Sequence, residues 1–324
     1  MKKILITGIT GLIGKAVLRK LLLTPEAYQI TALVRPLTAL ERFQEFNSQI
    51  EIVPIDLTEV LELRKFLDSR QFDTVIHIGA LRGGRKFPKQ VYYTANVMAT
   101  EQIAEYCAAS GADLLFCSSV GVFGAIPEEL PANNHTDMNP DNYYHYTKIQ
   151  SEKLINRMAL KGLKAAILRP SITYGTGDFG FPFQLVKMVD KKIFPMINKR
   201  IWIHLCSIET ISDAFIWLVE HEYPNALALN IADREPVQLK DLVNFISRQL
   251  CNKNYPEWIS LDRHLFSLGE MVAKKLRNEL WTSRFQLISR SWIYDVREAY
   301  GLMELKERFT IPDIRITIKD YQRK

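Results

Sequence analysis

Three glycines, Gly8, Gly11 and Gly14, follow a short apolar run (residues 3–7, KILIT) and open a segment of helical periodicity that reaches about residue 23. Glycine at such a junction permits a tight turn, a close approach of backbone to a phosphate, and close packing of the helix on its strand. The helix start then offers free N–H groups, those of Thr10, Leu12 and Ile13 among them, and the positive end of its dipole to a pyrophosphate. The strand before and the helix after supply the context that the glycine spacing alone lacks.

The same alternation continues. Strand-like runs fall at residues 30–34, 50–55, 75–78, 113–117 and 165–168, with helical periods reaching Phe46, at 88–109, and around Tyr144 and Lys148. Strands that alternate with helices pair in parallel through crossovers, so the expected fold is α/β, a doubly wound parallel sheet of Rossmann type. No repeat or low-complexity linker interrupts it. The expected division gives residues 1–170, with 201–231 returning, to dinucleotide binding. A smaller, mostly helical domain, 171–200 and 232–324, is left for substrate.

At 324 residues, 47% hydrophobic and 24% charged, the chain has the composition of a globular enzyme rather than a disordered one. The net charge of +6 is modest; it suits a small anionic ligand, and dispersed basic charge of this size mostly solvates a surface. Four scattered cysteines, Cys107, Cys117, Cys206 and Cys251, form no metal-ligand spacing, and free thiols suit a cytoplasmic protein. The N-terminal lysines and apolar run lack a cleavage site, and no apolar run reaches the ~20 residues that span a bilayer.

Tyr144 and Lys148 stand one helical turn apart in NYYHYTKIQSE. A phenol is a weak base near neutrality, and a neighbouring cation favours its ionised form, so this pair can move a proton. Tyr143 and Tyr146 read as packing aromatics, and His77 and His145 as packed or hydrogen-bonded residues rather than metal ligands. Arg35 falls roughly 20 residues beyond the last glycine, where an acid would hold the ribose hydroxyl of NAD. An arginine pairs with a 2′-phosphate instead, which makes NADP(H) the expected cofactor; stacking of Arg35 on the adenine of NAD(H) is the alternative. Asp56-Leu57 places a carboxylate where an adenine amino group can donate to it.

The order and spacing of TGITGLIG (7–14), HIGA (77–80), NVMAT (96–100), SSVGVFG (118–124), YHYTK (144–148), LRPSITYGTGD (168–178), RIWIH (200–204) and LNIAD (229–233) resemble the extended short-chain dehydrogenases/reductases, also called the NAD-dependent epimerase/dehydratase family. The resemblance covers most of the chain. It implies Ser119 as the residue that hydrogen-bonds the substrate oxygen beside Tyr144. Lys148 then holds the nicotinamide ribose, Asn96 supports a helix bend or proton relay, and Gly79, Ala80 and Pro170 line the cofactor. Phe123, Arg200 and His204 fall to substrate binding. The dehydratase branch carries Asp-Glu after its catalytic Thr, where this chain has Val120-Gly121, which disfavours water elimination. Arg200 and His204 keep the R-x-x-x-H element of sugar-nucleotide epimerases, although Cys206 and Ser207 replace the acids that usually follow. The basic helical stretch 262–292 resembles the branch of hydroxysteroid dehydrogenase-like and dihydroflavonol reductase-like enzymes, with a helical lid.

The expected function is therefore an NAD(P)-dependent oxidoreductase that moves a hydride between nicotinamide and a hydroxyl or ketone carbon. A nucleotide-sugar epimerase with tightly bound NAD is the alternative, and a non-catalytic nucleotide sensor or RNA-binding relative a third. The helices at 88–109 and 142–161 correspond to those that pack as a homodimer in the family; no nucleic acid partner and no integral membrane segment are expected, and the basic amphipathic stretch 262–292 either buries one face on its own domain or lies on a membrane surface.

Overall fold

A computed structural model describes residues 1–36, 38, 45–46, 49–83, 87–197, 199–256, 260–261, 263–276 and 279–323. Most of the helix expected between the second and third strands, and Asp262, Arg277 and Asn278 of the basic C-terminal stretch, lie outside the described residues. The described chain divides into two compact units.

The first unit comprises Met1–Val122, Asn142–Arg169 and Ser212–Leu229. Its strands are β1 (Lys2–Thr7), β2 (Tyr28–Val34), β3 (Glu51–Pro54), β4 (Thr74–His77), β5 (Asp113–Cys117) and β6 (Ala165–Pro170). With the strand Leu227–Ile231 at one edge, they form a seven-stranded sheet in the order Leu227–Ile231, β6, β5, β4, β1, β2, β3. β1 pairs in parallel with both β2 and β4, β2 with β3, β4 with β5, and β5 with β6. All four residues of β4 and all six of β6 are buried, as befits central strands covered on both faces. Register aligns the strand ends: Thr7 lies beside His77, His77 beside Phe116, and Cys117 beside Leu168. The loops that leave these ends therefore emerge along one edge, as binding loops do in open parallel sheets.

The crossovers are α1 (Leu12–Leu21), α2 (Val60–Asp68), α3 (Lys89–Tyr93), α4 (Ala99–Ser110) and α5 (Tyr143–Ala159). Leu63 and Leu67 of α2, Ile103 and Ala104 of α4, and Ile155 of α5 join Leu5, Val75, Leu114 and Ile167 of the sheet in one buried core. The continuous helix expected at 88–109 is instead broken by a π-helical turn, Thr94–Met98, between α3 and α4. Gly111, with φ of +78°, ends α4 in the left-handed conformation that glycine tolerates best.

The second unit comprises Phe123–Asp141, Pro170–Ile211 and Asn230–Lys324. It thus includes residues 123–141 and 201–211, which the sequence division assigned to the dinucleotide domain. It is mostly helical, with helices at Phe181–Asp190, Leu239–Cys251, Arg263–Lys275, Glu279–Ser289, Arg297–Met303 and Arg315–Gln322 and short two-stranded ladders. At its centre the buried Asp233 carboxylate accepts hydrogen bonds from Tyr174 Oη (2.7 Å), Thr310 Oγ1 (2.7 Å) and Ser207 N (2.8 Å). Among the described residues no helix is long and apolar enough to cross a membrane.

Candidate active site

The cradle after β1 demands its glycines. Gly8 has φ of +83°, and a Cβ there would lie 2.6 Å from Gly79 N; a Cβ on Gly14 would overlap Gly8 O. Gly11 caps α1 without a side-chain hydrogen bond, which leaves the first-turn N–H groups to an external acceptor. Thr10 and Gly11 are exposed and Leu12 and Ile13 half-buried. This backbone cradle fits the pyrophosphate of a dinucleotide. Arg35 is exposed just beyond β2. Asp56 is half-buried, and its Oδ1 accepts from Thr58 N and Thr58 Oγ1, both at 2.9 Å.

Behind the cradle runs a buried hydrogen-bond chain that fixes the tautomer of His77. Gly79 N–H donates to Thr7 Oγ1 (2.9 Å), and Thr7 Oγ1 meets His77 Nδ1 at 2.8 Å. On the far side, His77 Nε2 meets Thr100 Oγ1 at 3.0 Å, while Thr100 Oγ1 donates to Asn96 O at 2.5 Å. The Thr100 hydroxyl proton is committed to Asn96, so His77 Nε2 carries the ring proton and Nδ1 accepts from Thr7. Burial pushes the imidazole down to about 3, and it stays neutral as part of the frame.

Asn96 sits in the π-helical turn. Its Oδ1 accepts from Leu81 N (2.8 Å), and its Nδ2 donates to Leu81 O (3.0 Å) and Thr147 Oγ1 (2.9 Å). One buried amide thus ties the loop after β4 to Thr147 near the start of α5. A π-turn re-aims a side chain within an otherwise helical run, and here it turns Asn96 toward both partners.

α5 begins at the cap Asn142 and carries Tyr144 and Lys148. Lys148, 2% exposed, donates from Nζ to Cys117 O at 2.6 Å and lies 4.5 Å from the Phe116 ring centroid. That contact seats the helix on the end of β5, from which Ser119 issues. Burial lowers the ammonium to about 8, against the raising effect of Cys117 and Glu152. Tyr144 is half-buried, and a Cβ on Gly83 would lie 3.5 Å from Tyr144 Cβ, so the loop after β4 reaches the same place. Burial first, then Cys117, raises the phenol above its ordinary value; the cation that lowers it is Arg82. The expectation from the helical spacing, a phenol lowered by Lys148, is not met, because burial dominates. Arg82 itself was missed in the sequence. The signal was there, a cation in the glycine-containing loop after the fourth strand.

Two adjacent serines have different surroundings. Ser118 is buried and donates to Glu152, whose carboxylate accepts from Arg169 Nε (3.0 and 3.1 Å) and Nη2 (2.7 Å). Ser119 is half-buried, and its Oγ accepts from Gly121 N at 3.1 Å. Of the pair, Ser119 is the one whose hydroxyl the sheet edge presents.

The residues assigned to substrate in the second unit behave differently from one another. Phe123 is buried and stacks on Tyr294, centroids 6.5 Å apart; Pro170, assigned to the cofactor, is buried at the end of β6. Arg200 is exposed, whereas His204 is 1% exposed with both ring nitrogens engaged: Nε2 meets Asp233 O at 2.8 Å and Nδ1 accepts from Tyr294 N at 3.3 Å. Burial holds this imidazole down, at about 4. These contacts hold the ring within the frame.

A parallel sheet with a glycine cradle after β1, and a tyrosine–lysine helix seated on β5, defines a dinucleotide-binding α/β enzyme of Rossmann type. A model of the NAD dependent epimerase/dehydratase family matches residues 4–231, and the chain belongs to that family. It is 31% identical over 165 residues to UDP-glucose 4-epimerase 2 of Oryza sativa subsp. japonica, covering 48% of this chain and 40% of that one. It is 25% identical over 269 residues to UDP-glucose 4-epimerase of Vibrio cholerae, covering 79% and 77%. In fold it is similar to UDP-glucuronic acid 4-epimerase from Bacillus cereus, solved in complex with NAD, with a TM-score of 0.77, 20% identity and 99% of each chain covered. The chain spans less than half the length of the first curated relatives it matches.

Proposed function

We propose that the protein is a sugar-nucleotide epimerase that works with bound NAD. The observation that carries this reading is the seating of α5 on β5 by the Lys148–Cys117 hydrogen bond, which gathers Tyr144, Lys148 and the Ser119 turn at the strand ends beside the glycine cradle. The UDP-glucose 4-epimerases among its relatives support a nucleotide sugar as the substrate class. This replaces the simple oxidoreductase favoured by the sequence alone.

The residues present fit the cofactor. Gly8, Thr10, Gly11, Leu12, Ile13 and Gly14 would hold its pyrophosphate, Asp56 and Leu57 its adenine, Gly79 and Ala80 its middle, and Lys148 and Pro170 its nicotinamide end. Bound NAD would supply a reversible hydride acceptor for the substrate carbon. Tyr144, as the phenolate that the positive charge of a bound nicotinamide would favour, takes the proton of the substrate hydroxyl as that carbon becomes a ketone, and gives it back when the alcohol re-forms. Ser119 donates to the same oxygen and fixes its orientation. The NAD in the solved relative favours NAD over the NADP expected from Arg35, whose exposed guanidinium then stacks on adenine. Water elimination stays disfavoured, because Val120 and Gly121 supply neither acid of the dehydratase pair.

The enzyme acts in the cytoplasm, where its free cysteines stay reduced, and works as a homodimer through α3, α4 and α5. Near that surface Tyr143 and Tyr146 stack, centroids 5.4 Å apart, with Tyr146 38% exposed. Sedimentation at monomer mass alone would remove the dimer.

Incubation with UDP-glucose or UDP-glucuronate and NAD, followed by NMR, tests the activity. The 4-epimer should accumulate to equilibrium with no net change in nicotinamide absorbance. Stoichiometric NADH formation without a new sugar would restore the oxidoreductase reading.

A further inference from the structure

We infer that His145 is a positioning residue that sets the orientation of the Ser119 hydroxyl, acting through Gly121. The inference rests on the reading of Ser119 and Tyr144 as the groups that handle the substrate oxygen.

The α5 cap grips His145 twice. Asn142 Oδ1 accepts from His145 N at 2.9 Å, and Asn142 Nδ2 donates to His145 Nδ1 at 2.9 Å. An amide nitrogen only donates, so Nδ1 is an acceptor and the ring proton resides on Nε2. The ring so held lies over Gly121. A Cβ on that residue would overlap Nε2, Cδ2 and Cε1 of the imidazole at once. Position 121 has therefore surrendered its side-chain volume to a histidine from another segment, and the turn after β5 is pressed between its own strand and α5.

The consequence falls on Ser119. Gly121 N–H donates to Ser119 Oγ at 3.1 Å, which occupies a lone pair and directs the hydroxyl proton elsewhere. A serine that must donate to a substrate oxygen needs that arrangement, because an alcohol free to rotate spends part of its time as an acceptor. His145 adjoins Tyr144 in sequence, and their rings lie 5.4 Å apart at 51°. Whatever fixes the imidazole therefore fixes the serine turn relative to the tyrosine helix. Displacement of a reacting group by about 1 Å can cost a hundredfold in rate, so a small shift of the turn is enough to matter.

The test is a size exchange. Gly121→Ala, His145→Ala and the double variant are compared with wild type in three measurements: ligand-free crystal structures, NAD affinity by calorimetry, and turnover of UDP-glucose and UDP-glucuronate. Each single variant should break the Ser119 Oγ–residue 121 N hydrogen bond and lower kcat by about tenfold to a hundredfold, with NAD affinity and KM unchanged. In the double variant the new methyl enters the space the ring left, so the hydrogen bond returns and kcat exceeds that of Gly121→Ala. Persistence of the bond in both single variants, or a double variant no better than the worse single one, overturns the inference. If wild type turns over neither sugar nucleotide, the epimerase reading fails on its own, and the crystal structures still decide whether His145 positions Ser119.

Discussion

Lys148 donates to the carbonyl of Cys117 at 2.6 Å from a position almost wholly closed to water. This bond does two things at once: it docks α5 on the end of β5, and it desolvates the cation next to the tyrosine. Burial holds the ammonium near 8, against 10.5 for a free lysine. Between those values the folded protein binds fewer protons than the unfolded chain, so its stability rises with pH across that window and is reduced as pH falls through about 8. Relative to Lys148→Met, wild type should gain stability between pH 7 and pH 10. Urea unfolding of both proteins at the two pH values reads this, and parallel curves would show that Lys148 is not desolvated as described.

The same lysine predicts how cofactor binding responds to pH. A dinucleotide carries negative charge and prefers the protonated amine, so NAD affinity should decline once pH passes about 8, by at most about tenfold per unit for a single proton. Calorimetric titrations from pH 7 to 9.5 should find this decline in wild type and none in Lys148→Met. An equal decline in both would place the titrating group elsewhere.

Glu152 and Arg169 form a buried ion pair, 0% and 3% exposed at their side chains. Ser118 completes the carboxylate's hydrogen bonds. Removal of one member leaves a charge in the core without its counterion, at a cost of roughly 3–5 kcal/mol. Glu152→Gln should lose about that much in chemical unfolding, whereas Glu152→Gln combined with Arg169→Met should recover part of it, because no unpaired charge remains. A loss below about 1 kcal/mol for Glu152→Gln would mean water reaches the pair.

How far these features could be read in advance depends on the range of the contacts that make them. The glycine cradle and the Tyr144–Lys148 spacing are local, set within one βα junction and one helical turn, so they are visible in the chain as written. The parallel, doubly wound character of the sheet followed from the alternation of strands and helices, whereas its strand order did not. The family resemblance placed a helix bend at Asn96, but nothing local announces that its amide reaches Leu81 and Thr147, or that Glu152 meets Arg169 across 17 residues. The packing of His145 on Gly121 is of the same kind, since it joins two turns by tertiary contact. The spacing of His204 from Arg200 is likewise local, whereas the burial and the two hydrogen bonds that hold its ring come from tertiary contact.

Two glycines with similar backbone strain separate cofactor binding from folding. Gly8 (φ +83°) and Gly111 (φ +78°) both lie in the left-handed region, but a Cβ meets Gly79 at the first and nothing within 4 Å at the second. Gly111→Ala should cost about 1–2 kcal/mol of stability and leave NAD affinity alone. Gly8→Ala adds a collision in the cradle itself and should abolish measurable NAD binding in calorimetry. NAD bound with wild-type affinity by Gly8→Ala would show that the pyrophosphate does not use this turn.

Asp233 offers a pH signature within the second unit. Burial raises its carboxyl from 3.8 to about 6, although Thr310, Ser207 and Tyr174 all donate to the ionised form. A raised folded-state value means that the folded protein holds a proton the unfolded chain has lost. The associated stability is present below 3.8 and disappears as pH rises through about 6, a span worth at most about 3 kcal/mol. In Asp233→Asn that dependence should vanish, because the amide does not titrate and the hydroxyls of Tyr174 and Thr310 can rotate to meet it. Denaturant unfolding of the two proteins between pH 4 and 7 should therefore give stability curves that diverge in slope below pH 6 and run parallel above it. Parallel curves throughout would mean that the three donors hold the carboxylate ionised, and that desolvation does not govern this site.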